Sequence, residues 1–172
     1  ALAAATKTRL QRVSITPHGN QKREPDRIDA ESFAAWVNSP AFASVEVLFV
    51  RSHFEIGDAG IEALAGSPHA RALRWLDVVS CNVSGSGARA LAASPHLGRL
   101  EVLHLDRNPI GDAGFAAIMG STSLTALGRL SSCYCKFDAV DGLARLAEPG
   151  ALPALAELFL SGNTVRLAGA KA

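Results

Sequence analysis

The amino-acid sequence predicts an α/β solenoid, a curved right-handed superhelix with a parallel sheet on its concave side and helices outside. Three observations predict this fold. A unit of about 28 residues recurs along the chain, each unit opens with alternating apolar and polar residues, and an alanine- and leucine-rich segment of helical period follows. One unit cannot bury its own apolar side, whereas stacked units share a core. We therefore interpret residues 1–172 as a single repeat domain of about five to six units.

The clearest unit spans residues 100–124. Leu103 and Leu105 alternate inward along a short strand, and Asn108 follows at the bend. The sequence Gly-Asp-Ala-Gly at 111–114 is expected to turn the chain, and residues 115–119 have a helical pattern. A strand, a bend and a helix therefore make up each unit.

Equivalent positions of successive units form columns. The strand column has nearly constant spacing and contains Leu48, Leu76, Leu103, Leu130 and Leu158. The helix column keeps one fixed separation from the next strand leucine and contains Trp36, Leu64, Leu91, Ile118 and Leu146. A third column marks where each helix should stop, and it contains Pro40, Pro68, Pro95, Thr122 and Gly150. Serine precedes the proline three times.

Two units depart from this pattern. In the first unit, Val13 and Ile15 form a strand, and the polar segment 16–27 is predicted to be an inserted surface loop before a helix at 28–37. In a later unit, Ser132 stands where a strand leucine is expected. We expect that later unit to be the weakest.

Both ends of the sequence fall in the middle of a unit. Residues 1–5 resemble the tail of a helix, and the last unit stops at Ala172 before its helix. Open ends expose core leucines and sheet edges. We therefore expect the chain to be a fragment of a longer one, or its ends to self-associate with other subunits.

The charge and cysteine content exclude several classes of protein. A formal net charge of +1, from 17 basic and 16 acidic residues, argues against nucleic acid and anionic membranes as partners. We find neither a membrane-spanning apolar run nor a signal peptide. The odd count of three cysteines favours a reducing compartment, so we expect a cytoplasmic protein.

The pattern L-x-x-L-x-L-x-x-N-x-I-G-D-A-G, from Leu100 to Gly114, resembles the ribonuclease-inhibitor type of leucine-rich repeat. The segment Ala-Leu-Ala-Ala-Ser-Pro-His-Leu at 90–97 is similar to repeats of large bacterial leucine-rich repeat proteins. The resemblance implies the solenoid fold and a partner bound on the concave strand face. The resemblance says little about function, because inhibitors, GTPase activators, immune receptors and effectors all have this fold.

The residues between the strand leucines should point out from the concave sheet. They include aromatic and charged types that dominate binding hot spots. The predicted partner-binding residues are Phe49, Arg51, Trp75, Asp77, His104, Asp106, Arg129 and Phe159. Two further expectations concern side-chain contacts: His104 could join Asp77 and Asp106 in a polar cluster, and Phe49 and Trp75 could simply shield each other across adjacent strands.

Three other motifs are better explained by structure than by chemistry. Cys81 and Cys135 occupy the inward asparagine position and are predicted to be buried replacements for it, whereas Cys133 lies on the outer strand face. Gly85 and Gly87 belong to a repeat turn rather than a phosphate-binding loop. The recurrence of histidine after proline favours a structural role for His69 and His96. We predict no catalytic residues, no metal and no cofactor.

The sequence therefore predicts a non-enzymatic module that binds a protein partner of unknown identity on its concave face. The alternative is a regulatory or substrate-recruiting domain of a larger enzyme, such as a ubiquitin-ligase-like effector or a GTPase activator, with catalysis outside this chain. Self-association through the open ends is a third possibility.

Overall fold

The computed structural model of the protein describes residues 10–16 and 28–164. The loop predicted at 16–27 lies, apart from Thr16, outside the described residues, as do the segments 1–9 and 165–172. Within the described ranges, no helix has the length and apolar content needed to cross a bilayer.

The described strands form one six-stranded parallel sheet in chain order, which confirms the predicted α/β solenoid. The strands are β1 (Arg12–Ile15), β2 (Val47–Val50), β3 (Trp75–Asp77), β4 (Val102–His104), β5 (Arg129–Ser131) and β6 (Glu157–Phe159). Their register aligns the predicted strand column, so that Leu48, Leu76, Leu103, Leu130 and Leu158 lie side by side. A helical crossover between each pair of strands is what parallel pairing requires.

The helices lie between consecutive strands and pack against one another in order. They are α1 (Ala30–Val37), α2 (Gly57–Gly66), α3 (Gly85–Ala92), α4 (Gly111–Met119) and α5 (Val140–Arg145). Short 3₁₀ helices at Pro40–Ser44 and Pro68–Ala72 follow α1 and α2. Each of these two begins at the proline predicted to end the preceding helix, because proline lacks the N–H that would continue it.

Three helix boundaries correct the prediction. Gly111 already belongs to α4, so the Gly-Asp-Ala-Gly segment is the first helical turn rather than a turn before the helix. Helix α1 begins at Ala30 rather than at Ile28 because Asp29 caps it, accepting a hydrogen bond from the Ser32 N–H at 2.7 Å. Helix α5 ends at Arg145, so Leu146 is 36% exposed instead of lying in the core.

The core is the space between the sheet and the helices. Leu48, Leu76, Leu103 and Leu130 of the strand column are fully buried. They share one apolar cluster with helix residues that include Leu64, Leu91 and Ile118. Each unit thus completes the core of its neighbour, which is why isolated units do not fold.

Asn108 ties two units together at the bend after β4. Its side-chain Oδ1 accepts hydrogen bonds from the backbone N–H groups of Cys81 and Val83, at 2.9 and 3.0 Å. Its Nδ2 donates to the carbonyl groups of Val78 and Leu105 at 2.8 and 2.9 Å. A single amide therefore satisfies buried backbone groups of the preceding unit that would otherwise be unpaired.

Cys81 and Cys135 occupy this bend position in other units and are buried, as predicted. The Cys81 thiol donates to the Val50 carbonyl with a sulfur–oxygen distance of 2.9 Å, and the Cys135 thiol to the Leu105 carbonyl at 3.3 Å. Both accepting carbonyls belong to the preceding unit. The thiols thus replace part of the asparagine bonding.

A second set of bonds between units lies at the ends of the helices. The hydroxyl groups of Ser67, Ser94 and Ser121 donate to the carbonyls of Val37, Ala65 and Ala92, respectively, at 2.5 to 2.6 Å. We call these three the serine bridges. The Ser67 and Ser94 oxygens also accept the backbone N–H groups of His69 and His96, so these two positions are equivalent in their units.

Candidate interaction surface

Three rings form a continuous row on the concave sheet face. Phe49 on β2 and Trp75 on β3 lie with ring centroids 5.9 Å apart, and Trp75 and His104 on β4 lie 5.5 Å apart. The strand register makes each contact a diagonal between neighbouring strands. We call Phe49, Trp75 and His104 the aromatic row. Phe49 and Trp75 do contact each other, as the mutual-shielding alternative expected, and all three residues remain partly exposed.

Two guanidinium groups flank the first ring of the row. The Arg12 guanidinium carbon lies 4.9 Å from the Phe49 ring centroid, and that of Arg51 lies 5.9 Å away. At these distances the ring face attracts the cations. Arg12 and Arg51 are both exposed, so the edge of the aromatic row carries positive charge at the surface.

The prediction that Asp77 is exposed is wrong. Its position lies on the concave sheet face, which points away from the core, but its side chain is fully buried. Arg51 and His104 cover it. The Arg51 Nε donates to Oδ2 of Asp77 at 2.9 Å, its Nη2 bonds the same oxygen, and His104 Nδ1 lies 3.3 Å from it. A buried carboxylate needs such partners, since desolvation of an unpaired charge is costly.

The ionisation of Asp77 reflects both burial and pairing. Burial alone would raise the pKa of this carboxyl, but the hydrogen bonds from His104 and Arg51 and the Arg51 charge outweigh it and lower the pKa. The same hydrogen bond with Asp77 raises the pKa of Arg51. Asp77 and Arg51 therefore form a charged pair whose cationic end is exposed and whose anionic end is not.

The indole nitrogen of Trp75 has no hydrogen-bond partner among the described residues. Its Nε1 is buried, and no acceptor in that part of the chain reaches it. Trp N–H groups usually find an acceptor when they are buried, and an unsatisfied donor costs about 1 to 3 kcal/mol. The unsatisfied donor thus belongs to Trp75, the middle residue of the aromatic row.

The other predicted site residues lie apart from this row. Asp106 turns toward the next bend, where its Oδ1 accepts from the Ser131 hydroxyl at 2.6 Å and the Cys133 N–H at 2.7 Å. The expected cluster of His104 with Asp77 therefore forms without Asp106. Arg129 pairs with Glu157 at 2.8 Å, and both side chains are about half exposed. Phe159 is 46% exposed on β6.

The geometry gives the cysteines and glycines structural roles, and it corrects the predicted repeat turn, because Gly85 and Gly87 lie in the first turn of α3 rather than before it. Burial raises the pKa of both Cys81 and Cys135 to about 11, which makes them poor nucleophiles. The Gly87 N–H donates to the Asp58 carboxylate at 3.0 Å, so a residue of the preceding unit occupies the place a phosphate would need. Among the described residues, no group of three or more acidic, histidine or cysteine side chains is arranged to hold a metal ion.

Sequence reasoning missed the burial of Asp77 and the unpaired indole. The first had a signal, because Arg51 directly follows β2 and His104 ends β4, the strands on either side of Asp77, and they offer a cation and a donor to one carboxylate. The second had none, because it depends on the side-chain rotamers that pack the three rings.

A family model described as leucine-rich repeat matches residues 69–92 and 100–119. No curated protein matches the chain. The matched residues include β3, β4, α3 and α4, and the parallel sheet and stacked helices continue the same arrangement on both sides of them. Residues 69–92 and 100–119 are therefore matched as leucine-rich repeats, and the described residues fold as an α/β leucine-rich repeat solenoid.

Proposed function

We propose that this protein is an interaction module that binds a protein partner on its concave sheet face, through the aromatic row and Arg51. One observation carries the proposal: three rings on three neighbouring strands form a continuous, partly exposed surface beside an exposed guanidinium group. Leucine-rich repeats generally mediate protein–protein interaction and are typically non-catalytic, which supports this assignment.

The residue types fit such a surface. Tryptophan and arginine are enriched among the residues that contribute most to binding energy, and aromatic rings present a large contact area with few rotatable bonds. Here the rings stand on a hydrogen-bonded sheet and pack against one another. Little side-chain entropy would be lost when a partner covers them.

The buried carboxylate of Asp77 supports the same arrangement from beneath. It holds Arg51 on one side and His104 on the other, so the two polar side chains next to the rings are fixed in position. Asp77 is thus a positioning residue and does not itself contact the partner.

We also infer that the repeats are of the ribonuclease-inhibitor type. A unit length of about 28 residues is at the upper end for leucine-rich repeats, which supports this assignment. Each of α1 to α4 is a regular α-helix of 8 to 10 residues, which supports it as well. In such repeats the helices cover the outside, so the strand face is left for a partner.

Position-specific photo-crosslinking tests the proposed face. A photoreactive phenylalanine derivative would replace Phe49 on the sheet or, as a matched control, the exposed Glu148 beyond α5. After irradiation in an extract of the source organism, we expect a defined protein adduct from position 49 and none from position 148. Equal adducts from both positions, or an adduct from position 148 alone, would refute the concave face as the binding surface. Circular dichroism of both variants checks that they are folded.

A further inference from the structure

We infer that the surface formed by Arg12, Phe49, Arg51, Trp75 and His104 takes an acidic peptide segment of the partner, whose carboxylate and carbonyl oxygens act as hydrogen-bond acceptors. Because it names the partner chemistry of the same surface, this inference rests on the proposed function. We call these five residues the acceptor-binding surface.

The first argument is charge. The Arg51 side chain is 49% exposed, whereas its carboxylate partner Asp77 is fully buried. The Arg12 guanidinium carbon also lies over the Phe49 ring, 4.9 Å from its centroid. The surface therefore presents cationic groups to a partner and keeps its own carboxylate beneath them. A segment with aspartate or glutamate complements this charge, and a lysine- or arginine-rich segment would be repelled.

The second argument is the unused side of Arg51. Its Nε and Nη2 both bond Oδ2 of Asp77, while Nη1 makes no hydrogen bond within the described residues. A guanidinium group can bind two carboxylates along different edges of its planar fork. One edge is thus held in place by Asp77, and the exposed remainder is available for a carboxylate of the partner.

The third argument is independent of charge. The Trp75 Nε1 donor is buried without an acceptor among the described residues, and it belongs to the ring that packs against both Phe49 and His104. Exposed donors exchange a bond with water for a bond with the partner, so they gain little. Because Nε1 has almost no accessible surface in the free protein, an acceptor of the partner reaches it only when the covering side chains shift, and it then adds a hydrogen bond without giving up an existing one. The two groups of this surface that lack a hydrogen-bond partner among the described residues, Arg51 Nη1 and Trp75 Nε1, are therefore both donors.

Among the described residues, this sheet face offers a basic segment of a partner no comparable set of free carboxylates. Asp106 already accepts two hydrogen bonds, from Ser131 and Cys133. Glu157 is paired with Arg129. The nearby carboxylates are thus used within the protein, and a basic segment would find cationic groups at the aromatic row.

Selection from a phage-displayed library of random dodecapeptides tests the inference on the immobilised full chain. We expect the selected peptides to contain several-fold more aspartate and glutamate than the unselected library. Fluorescence anisotropy with the most enriched peptide then gives Kd for the wild-type protein and its variants. Arg51→Gln and Trp75→Phe should each raise Kd by about tenfold, the loss of one buried hydrogen bond or charge contact.

The variants separate the contributions. Trp75→Phe keeps an aromatic ring and removes the N–H. Arg51→Lys keeps the charge over Asp77 but loses the planar fork, and it serves if Arg51→Gln does not fold. Arg145→Gln is the matched control, because Arg145 forms an exposed pair with Glu148 on the helical side. The control should change Kd by less than about twofold.

Three outcomes would overturn the inference. If the selected peptides are neutral or basic and Phe49→Ala still abolishes their binding, the acidic chemistry is wrong and the proposed face stands. If the peptides bind Phe49→Ala, Trp75→Phe and Arg51→Gln as tightly as wild type, the proposed face is wrong as well. If no sequence is enriched above the control surface, the acceptor-binding surface is not a peptide site.

Discussion

Replacing Asn108 by alanine should destabilise the protein strongly, because one side chain bonds the backbone of two units. The residue is 1% exposed. Its removal leaves the N–H groups of Cys81 and Val83 without their acceptor, at a site where both bonds are buried. The Val78 and Leu105 carbonyls lose a donor as well.

The size of the effect follows from these orphaned groups. A buried donor without an acceptor costs about 1 to 3 kcal/mol, and carbonyls tolerate partial satisfaction better. Two buried donors therefore predict a loss of about 4 kcal/mol in the free energy of unfolding. That is a large share of the roughly 5 to 15 kcal/mol that stabilises a typical domain.

Urea denaturation followed by circular dichroism measures this loss. Asn163→Ala is the matched control, because Asn163 has the same role in the last described unit but is only partly buried. Water can replace its bonds, so we expect a loss of about 1 kcal/mol there. A loss below about 1 kcal/mol for Asn108→Ala, or equal losses for the two variants, would refute the argument from buried backbone donors.

Three further predictions concern single side chains. Ser132 is fully buried in a leucine position and its hydroxyl has no partner among the described residues, so Ser132→Ala should raise the free energy of unfolding by about 1 kcal/mol; a lower thermal midpoint would contradict this. With a thiol-specific reagent at mildly alkaline pH, Cys133 should react in the folded protein. Cys81 and Cys135 are buried and have pKa values of about 11, so they should react only on unfolding. Equal rates for all three thiols would count against the burial of Cys81 and Cys135. The pKa of Asp77 is lower in the folded protein than its ordinary value of 3.8, so the ionised side chain stabilises the fold fully above pH 3.8, and this effect is lost as the pH falls through the folded-state pKa. The free energy of unfolding should therefore decline less steeply in acid for Asp77→Asn than for wild type. Parallel curves for the two proteins would contradict the assignment.

The sequence predicted the sheet well because strand periodicity is strict. Side chains alternate with a period of two, so a leucine column at constant spacing also determines which residues share the outer face. The register of β2 to β6 matches the leucine column read from the chain. Helix ends were less accurate, since the competing interactions at Asp29, Gly111 and Leu146 are local and weak.

The candidate surface was only partly predictable. Outer-face membership identified Phe49, Trp75 and His104, and diagonal contact across strands follows from their register. Which polar side chain becomes buried depends on the direction in which the neighbouring long side chains extend. Arg51 reaches one strand across to bury Asp77, whereas Asp106 turns toward the next bend to bond Ser131. The spacing of residues does not decide between these two directions.

The serine bridges carry a consequence for how such a chain can change in length over generations. Ser67, Ser94 and Ser121 follow one another at a constant step of one unit, and each donates to a carbonyl of the unit before it. A genetic duplication or deletion of one whole unit preserves every donor and every acceptor at the new junction. An insertion of another length within a strand or a helix breaks a bridge and shifts the leucines out of the core, whereas a surface loop such as the one predicted at 16–27 can vary in length. Outside such loops the molecule can therefore grow or shrink only in whole units, and each such step adds or removes one strand of the parallel sheet.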